Sequence, residues 1–425
     1  MKAPATTQRA DFDKLNAVDR VIAYFSPSFG IRRQQQRAAL AAMRGYESAE
    51  PSRKRRFHYN KSDGNVLARM SAVALRDQAR HLERNHDITV SILDKLVDFT
   101  VGTGIVTQFQ PKRRDGSIHT EFAALLTRKH AKWSEWPEVT WTHARGAAER
   151  LACRTMYRDG EVLGQMIFGP RSDNPYSMEV PFAIEMMEAD LLPYELNNLD
   201  ANVRQGIQCN AWGRPQIYNV YKNHPGGDFV ALTLQTKPIP AENILHPRLV
   251  NRIGQRRGIT ILAPIIARAQ DLHEYEGQEF AAAKMAASLV LKMTRGSPDM
   301  WDNAAQTYDK DNPPVMQMDG GMVVVQNQQG ENTEFFDTKR PNAAVEPFSE
   351  MNVRRIAGGV GLSYSAVSRN YNGTYSAQRQ ELVENWPHYH AMTGIWVAQW
   401  NRPADQRFID WVVLTQGMPA DVDPA

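Results

Sequence analysis

The sequence predicts an α+β protein of several domains that contains one unusually long helix. Between residues 66 and 100, apolar residues recur at three- and four-residue spacing, which indicates amphipathic helices. Between about 160 and 250, short alternating or apolar runs are bounded by Gly, Pro and Asn, which indicates strands. Residues 262–293 then hold apolar side chains on one broad helical face. A chain of 425 residues has room for about two to four domains.

Composition excludes several classes of protein. The charged fraction of 23% and hydrophobic fraction of 42% are ordinary for a water-soluble chain, and no run of about 18 apolar residues could span a bilayer. The first residues lack the apolar core and cleavage site of a secretory signal. Cys153 and Cys209 form neither a disulfide framework nor a C-x-x-C motif, so we expect reduced, structural thiols as in a cytoplasmic protein.

Positive charge is concentrated at the N-terminus. Residues 1–56 hold twelve Lys and Arg against five acids, a local charge of +7 that leaves −4 on the remainder of a chain whose total is +3. Such an arm either contacts nucleic-acid phosphates or is a solvated end, and both readings stay open. The candidate phosphate contacts are Arg53, Lys54, Arg55 and Arg56.

The first half of the chain is predicted to be helical and then sheet-rich. Helices are expected near 11–25 and 31–46, and, after a polar linker, at 66–83, 87–100, 119–132 and 142–158. Strands or hairpins are expected in "GEVLGQMIFG", "FAIEMMEADLL", "GIQCNAWGRPQIYNVYK" and "NILHPRLV". The "RIGQRRG" stretch that follows lacks the lysine of a nucleotide-binding loop, so we interpret it as a connection into the next helix.

That next helix is the strongest pattern in the sequence. A helix over 262–293 would be about 48 Å long at ~1.5 Å per residue, and it needs neighbours along its apolar face. Its opposite face carries Asp271, Glu274, Glu276 and Glu279.

The remaining chain reads as an acidic, loop-rich insert followed by helices. The insert at 294–343 contains one predicted strand, "GMVVVQN". A helix is predicted at 347–357, ended by Gly358 and Gly359, and a polar loop at 361–374 follows it. We then expect a helix from 376 towards 386, a break at Pro387, and an aromatic helix over 388–400.

Catalytic and metal-binding motifs are missing from the sequence. There is no Walker A, G-x-S-x-G, H-E-x-x-H or EF-hand pattern. His81 with His86, and His388 with His390, are poorly spaced for one metal ion. Glu185, Glu188 and Asp190 have no accompanying nucleophile, and we interpret them as a strand end and a turn.

Seven segments, taken in order, resemble the lambda-type portal proteins of tailed phages. They are "LRDQARHLERNHDITVSILDKLVDFTVGTGI", "RDGEVL", "IEMMEADLL", "GIQCNAWGRPQIYNVY", "ENILHPRLVNRIGQRRGITILAP", "NVRRIAGGVGLSYSAVS" and "YSAQRQELVENW". The resemblance covers roughly residues 75–400. The resemblance depends on the ordered series of segments more than on any single segment.

The resemblance implies a phage portal fold with a defined division of the chain. A basic N-terminal arm would occupy 1–62 and a mixed α/β wing 63–261. The stem helices would be 262–293 and 344–360, on either side of a small α/β clip at 294–343. A tunnel loop would occupy 361–374, and the wing return helix with the start of a crown 375–425. Family members continue past a "DP" near this point, so the helical crown is expected to be absent or truncated.

The resemblance also implies a function and residue roles. Copies would form a ring, usually a dodecamer, at one capsid vertex, and its channel would carry double-stranded DNA during packaging and ejection. Subunit packing would fall to Leu262, Ile265, Ala269, Leu272, Ala283 and Leu289. The DNA channel would be lined by Ser363, Tyr364, Ser365, Ser368, Arg369, Asn370 and Asn372. Arg369 would contact either a phosphate or a neighbouring subunit, and both readings stay open.

The implied partners follow from that role. They are other copies of the chain, the terminase large subunit at the clip, head-completion or adaptor proteins, major capsid and scaffold proteins, and double-stranded DNA. No catalytic residue, cofactor, metal or membrane is expected, and the protein would be found in the virion, and in the host cytoplasm during assembly. The alternative is a monomeric DNA-binding or DNA-processing protein that uses the basic N-terminus.

Overall fold

The computed structural model describes residues 61–169, 180–227, 235–287, 291–295, 331–335 and 344–423, with a few positions between 24 and 32. Its contacts divide the chain into two units, Met1–Ser62 and Asp63–Ala425. All helices and strands named below belong to the second unit. The helices predicted near 11–25 and 31–46, and the strand predicted at 321–327, lie outside the described residues.

Two helices form a corner at the start of the second unit. Helix α1 spans Gly64–Asn85 and helix α2 spans Asp87–Thr100, with the single residue His86 between them. Each helix buries one face, with Ala79 and Leu82 in α1 and Ile92 and Leu96 in α2. The two predicted helices are confirmed.

Two further helices, α3 (Thr120–Glu135) and α4 (Arg145–Asp159), confirm the next predicted pair. Helix α4 packs on the α1–α2 corner through three arginines spaced four residues apart, which places them on one helical face. Arg154 bonds Glu83 of α1 at 2.6 Å and Asp94 of α2, and Arg150 bonds Asp98 of α2 at 2.9 Å. Arg158 also bonds Glu83, at 3.0 Å.

The predicted sheet region forms two small antiparallel sheets. In the first, β1 (Leu163–Phe168) lies between β2 (Phe182–Met187) and β7 (Ile244–Leu245). The second has the order β3 (Val203–Arg204), β4 (Ile207–Cys209), β5 (Pro215–Tyr221) and β6 (Thr236–Pro240). The four predicted strand regions are confirmed. Strand β6 was missed because it contains Pro238 and Pro240, and proline argues against a strand except at the edge of a sheet, where β6 lies.

The long helix is shorter than predicted at both ends. Helix α5 spans Ile266–Ala287, 22 residues. Before it, turns are closed by Ala263 N–H to Thr260 and by Ile265 N–H to Leu262, so the helix starts only after Pro264. Beyond it, Leu291–Arg295 forms strand β8, paired antiparallel with β9 (Glu331–Phe335). The end of the apolar run is thus a strand. The prediction placed it in the helix because periodicity alone does not separate a short buried strand from a helix.

Helix α6 (Val345–Gly359) runs antiparallel to α5. The Tyr275 and Phe348 rings meet edge to face at 4.8 Å, and Gly359 lies beside Ile265. A Cβ added at Gly359 would be 2.6 Å from Ile265 Cγ2, so the close approach of the two helices requires glycine there.

The last helices correct two predictions. Residues Tyr364–Ser368, expected to be loop, form the short helix α7. Helix α8 spans Tyr375–Trp396 without a break at Pro387, and a π-helical turn, Val397–Asn401, joins it to α9 (Arg402–Gln416). A proline removes one helical hydrogen bond, but Tyr389 and Trp396 are buried beyond Pro387, and their packing holds the helix on the core.

The core is one large cluster with a smaller satellite. The large cluster joins the helical corner, the first sheet and the C-terminal helices, and its centre is aromatic, with Trp133, Trp396, Trp400 and Phe408. The satellite lies under the second sheet. Cys153 and Cys209 are free and buried, as expected for reduced, structural thiols. None of the described helices is long and apolar enough to cross a bilayer.

Candidate functional site

The polar segment 361–374, which connects α6 to α8, is the predicted site, and its first half is firmly anchored. Ser363 caps helix α7 by accepting the Ala366 N–H, and Val367 is buried and accepts a 2.7 Å hydrogen bond from Ser91 of α2. Helix α7 ends at Arg369, whose φ of 55° is left-handed. Because that conformation stops a helix, the chain turns outward at Arg369.

Three of the seven predicted channel residues face the protein more than solvent. Ser363, Tyr364 and Ser365 are half-buried. Ser365 donates a 2.7 Å hydrogen bond to Glu381 of α8, and the Arg354 guanidinium lies 4.9 Å above the Tyr364 ring. These contacts fix the base of the segment, so the three side chains support it.

The other four predicted residues form the outer tip. Ser368, Arg369 and Asn372 are exposed and Asn370 is half-buried. The tip is closed by local bonds, because Asn370 N–H donates to Ser368 Oγ and Asn372 N–H to Asn370 Oδ1, both at 3.2 Å. Within the described parts of the chain, Arg369 has no ion-pair partner, which leaves its guanidinium available to a phosphate or to another subunit.

An exposed apolar edge beside this tip was missed by the sequence reading. Five large side chains are between 48% and 78% exposed along the tip and the first three turns of α8: Tyr371, Tyr375, Leu382, Val383 and Trp386. From Tyr375 the spacing is 7, 8 and 11 residues, which places them on one side of a helix. That spacing was readable within the helix predicted from 376 towards 386, but the sequence alone does not show which face of that helix the core leaves exposed. We call these five residues the aromatic edge.

The predicted subunit-packing residues divide into three groups. Leu262, Ile265, Ala269 and Leu272 are at most 6% exposed and lie in the core of the chain itself, so one chain accounts for their burial and we do not assign them to a contact between copies. Ala283 is half-buried. Leu289 lies outside the described residues, as do Arg53, Lys54, Arg55 and Arg56.

The acidic face of the long helix is placed as expected. Asp271 and Glu274 are exposed and Glu276 and Glu279 half-buried. Beyond Leu272, Phe280 of the same helix is 63% exposed. The first turns of α5 therefore belong to the core of the chain, and its later turns present acidic and apolar groups to the outside.

In the loop 252–258, Arg252 is exposed, Arg256 is half-buried and Arg257 is a buried structural side chain. Arg257 is fully buried; it bonds Glu161 at 2.6 Å and the carbonyls of Ala189, Leu192 and Gln205. Its guanidinium also lies 3.8 Å above the Tyr194 ring. Arg257 therefore cannot reach a nucleotide or DNA, and its contacts anchor the loop as a connection into the next helix, in agreement with the prediction.

Electrostatics in this buried network favour charged Glu161 and neutral His246. Burial opposes the charge on Glu161, but Arg257 and His246 hold its pKa well below the ordinary value. Burial lowers the pKa of His246 to about 4, although its Nε2 lies 3.1 Å from Glu161. A neutral imidazole that donates from Nε2 to Glu161 satisfies both groups.

A second charged cluster lies at the end of β2. Oxygens of Glu188 and Asp190 and a ring nitrogen of His224 lie within 4.8 Å of one another. Asp190 is bonded to Arg76 at 3.0 Å and to Arg80 at 2.6 Å, and Glu188 lies 3.5 Å from Arg80. These guanidinium groups already balance the carboxylates, so the cluster is an ion-pair network at a strand end and a turn, as predicted.

Comparison with known proteins identifies the family. Residues 50–392 match the family described as "Phage portal protein, lambda family". The chain belongs to this family. Portal proteins of this family are structural components, and nothing in the family match indicates catalysis.

Two relatives and two solved structures illustrate the likeness. The chain is 26% identical over 349 residues to the "Probable portal protein" of Halomonas phage phiHAP-1, covering 78% of the chain and 64% of that protein. It is 22% identical over 365 residues to "Portal protein B" of Escherichia phage lambda, covering 79% and 67%. It thus spans less than two thirds of the Halomonas phage protein.

Among solved structures, the chain is similar to one titled "Neck of native GTA particle computed with C12 symmetry", with a TM-score of 0.44, 11% identity, and coverage of 84% and 96%. A second, "Virion of native gene transfer agent (GTA) particle", gives a TM-score of 0.42, 10% identity, and coverage of 83% and 94%.

Proposed function

We propose that this portal protein forms a homo-oligomeric ring, with a dodecamer as the expected size, at one vertex of a phage capsid. Its channel would carry double-stranded DNA into the capsid and out again, and its outer end would receive the terminase and later the head-completion proteins. The observation that carries the proposal is the family match over residues 50–392.

The charges of the long helix support the role of conduit. Each phosphate neutralised by a fixed Lys or Arg adds to the electrostatic hold on DNA, so a wall past which DNA slides should carry few exposed cations. The exposed side of α5 includes Asp271 and Glu274 together with Arg268 and Lys284, and with Glu276 and Glu279 the helix carries four acids against these two cations. We propose that this face and the tip at Ser368–Asn372 border the channel, with Arg369 as the single cation of that tip.

Contact between copies is the second element of the proposal. A stable interface buries about 800 Å² per partner and is rich in aromatic side chains. The aromatic edge supplies such side chains next to the tip, and we assign it to the contact between neighbouring copies.

Native mass and negative-stain electron microscopy of the purified chain test the ring. We expect closed rings with a central hole at about 10 µM protein, because assembly depends on concentration. A chain that stays monomeric at this concentration, with no rings visible, would contradict the proposal.

The alternative, a monomeric DNA-binding protein, predicts a different measurement. Its monomer should bind duplex DNA with an affinity that falls steeply with salt and is lost when residues 1–56 are deleted. The charge of that arm, twelve cations against five acids, is the observation that favours it. Unchanged DNA binding after the deletion would exclude this alternative.

A further inference from the structure

Three histidines meet where the helical corner touches the long helix. His86, the single residue between α1 and α2, is 7% exposed, and its ring stacks on His273 of α5 with centroids 4.1 Å apart. His81, one turn back on α1, meets His86 edge to face at 6.1 Å. We call these residues the histidine joint. Neither the family match nor the proposed channel assigns it a role.

The joint lies at the boundary between the buried and exposed parts of α5. Leu272, directly before His273, is 3% exposed, whereas His273 itself is exposed. His86 also holds the corner together through its backbone, since its N–H donates to the Leu82 carbonyl at 2.8 Å. The stacked pair therefore connects the corner to α5 where the helix leaves the core.

The charges around the joint make it sensitive to protonation. Burial lowers the pKa of His86 below its ordinary 6.5, His273 and His81 lower it further, and Asp87 of α2 opposes them. Other charged groups lie close by along the same helices: Asp77, four residues before His81 on α1, and Asp271 and Glu274, on either side of His273 on α5. Glu83 of α1 is bonded to Arg154 and Arg158, and Glu276 lies one turn beyond His273 on α5.

We propose that the histidine joint is a pH-operated connection that releases the middle of α5 from the α1–α2 corner when its imidazoles become charged. Two imidazolium rings stacked at 4.1 Å repel each other, and His86 would also be charged in a buried position. Because the native state disfavours protonation of His86, the contact is complete above the ordinary histidine pKa. It weakens as the pH falls below that value.

Hydrogen–deuterium exchange of the full chain tests this proposal. Amides of α5 around residues 266–275 should lose protection by about tenfold between about pH 7.5 and pH 5, after correction for the intrinsic exchange rate. Amides of α9, far along the chain from the joint, should change much less. No loss of protection in α5 of the wild-type protein would overturn the proposal.

Two variants separate the joint from the other titrating groups. His86→Phe and His273→Phe keep a flat ring for stacking but cannot be charged at that position. The acid-induced loss in α5 should shrink to about twofold or less in His86→Phe, and by a smaller factor in His273→Phe, because buried His86 still titrates in that variant. His273 is exposed, so its variant tests the joint even if the buried His86→Phe fails to fold.

His390→Phe, at an exposed histidine stacked on Trp386, is the matched control and should respond as the wild type does. An unchanged acid response in both joint variants would assign the effect elsewhere, for example to His246, and would refute the proposal.

Discussion

At the scale of single residues, the most consequential contact is the buried pair Arg257–Glu161. Both side chains are 0% exposed and lie 2.6 Å apart. Breaking a buried pair from one side leaves an uncompensated charge, which costs far more than the intact pair contributes.

Arg257→Leu should lower the free energy of unfolding by about 3–5 kcal/mol, because Glu161 would remain charged and lose its main partner. Urea unfolding followed by circular dichroism measures the change. Arg204→Leu, at an exposed arginine of β3, is the control, and we expect it to change stability by less than about 0.5 kcal/mol. Equal effects of the two substitutions would mean that the buried pair is unimportant.

His246 should make stability depend on pH. Its pKa in the folded chain is lowered to about 4, from an ordinary value of 6.5. A lowered pKa means that the unfolded chain binds the proton first as the pH falls. The contribution of neutral His246 to the free energy of unfolding is therefore complete above pH 6.5 and is lost as the pH falls towards 4.

His246→Gln retains a donor for Glu161 but does not titrate. Its free energy of unfolding should fall less steeply between about pH 6.5 and pH 4, by on the order of 2 kcal/mol relative to wild type. Parallel curves for wild type and variant would show that His246 is not the titrating group.

At the scale of elements, α8 shows how packing prevails over local preference. Pro387 lies inside this helix and is exposed, while Tyr389 and Trp396 beyond it are buried. A proline within a helix costs about 3 kcal/mol through a lost hydrogen bond and a steric clash.

Pro387→Ala should therefore raise the free energy of unfolding, by about 1–3 kcal/mol, because the Val383 carbonyl would regain a helical donor. Thermal and urea unfolding both report the change. Ala391→Pro, at another exposed position of the helix, should destabilise by a comparable amount. If Pro387→Ala proves destabilising, contacts of the proline ring outweigh the hydrogen bond that it removes.

The elements that sequence predicted well are those whose periodic pattern is long. Helices α1 to α4 and the four strand regions predicted between Leu163 and Leu245 agree with prediction because their apolar spacing matches one period throughout, whereas β6 in the same range was missed. The end of α5 was wrong because Leu291–Arg295 pairs with Glu331–Phe335, a partner distant along the chain. No local pattern reports such a pairing.

The sequence predicted where the candidate site lies along the chain, but not the contacts that its residues make. The polar composition of 361–374 indicated a special segment, but only the fold shows that Ser363 caps a helix and that Ser365 bonds Glu381. The aromatic edge was not predicted because only the packing of α8 on the core decides which of its faces stays exposed. The buried roles of Arg257 and Glu161 depend on long-range contacts, which charge patterns do not reveal.

At the scale of the whole molecule, assembly should depend on the aromatic edge. Leu382→Ser combined with Trp386→Ser removes two side chains that are 53% and 56% exposed, so the chain should fold normally. The fraction of protein in rings, measured by native mass, should fall at least tenfold, because aromatic anchors dominate interfaces.

Leu414→Ser is the matched control, since Leu414 is 79% exposed on α9, outside the edge. It should form rings as readily as wild type. Ile265→Asp provides the opposite case: Ile265 is 3% exposed in the core, so this variant should lose thermal stability before assembly can be measured. Full ring formation by the double variant would remove the edge from the proposed interface.

The long helix is held by the core along its first turns, and its later turns extend past that support. A sideways force on the far end of α5 therefore produces a bending moment that is greatest near Leu272 and His273. A force applied to the strand pair β8–β9 would therefore act mainly on the helix near these two residues, beside the α1–α2 corner. The mechanical stiffness of the protein would then depend on a handful of side chains well away from the point where the force is applied.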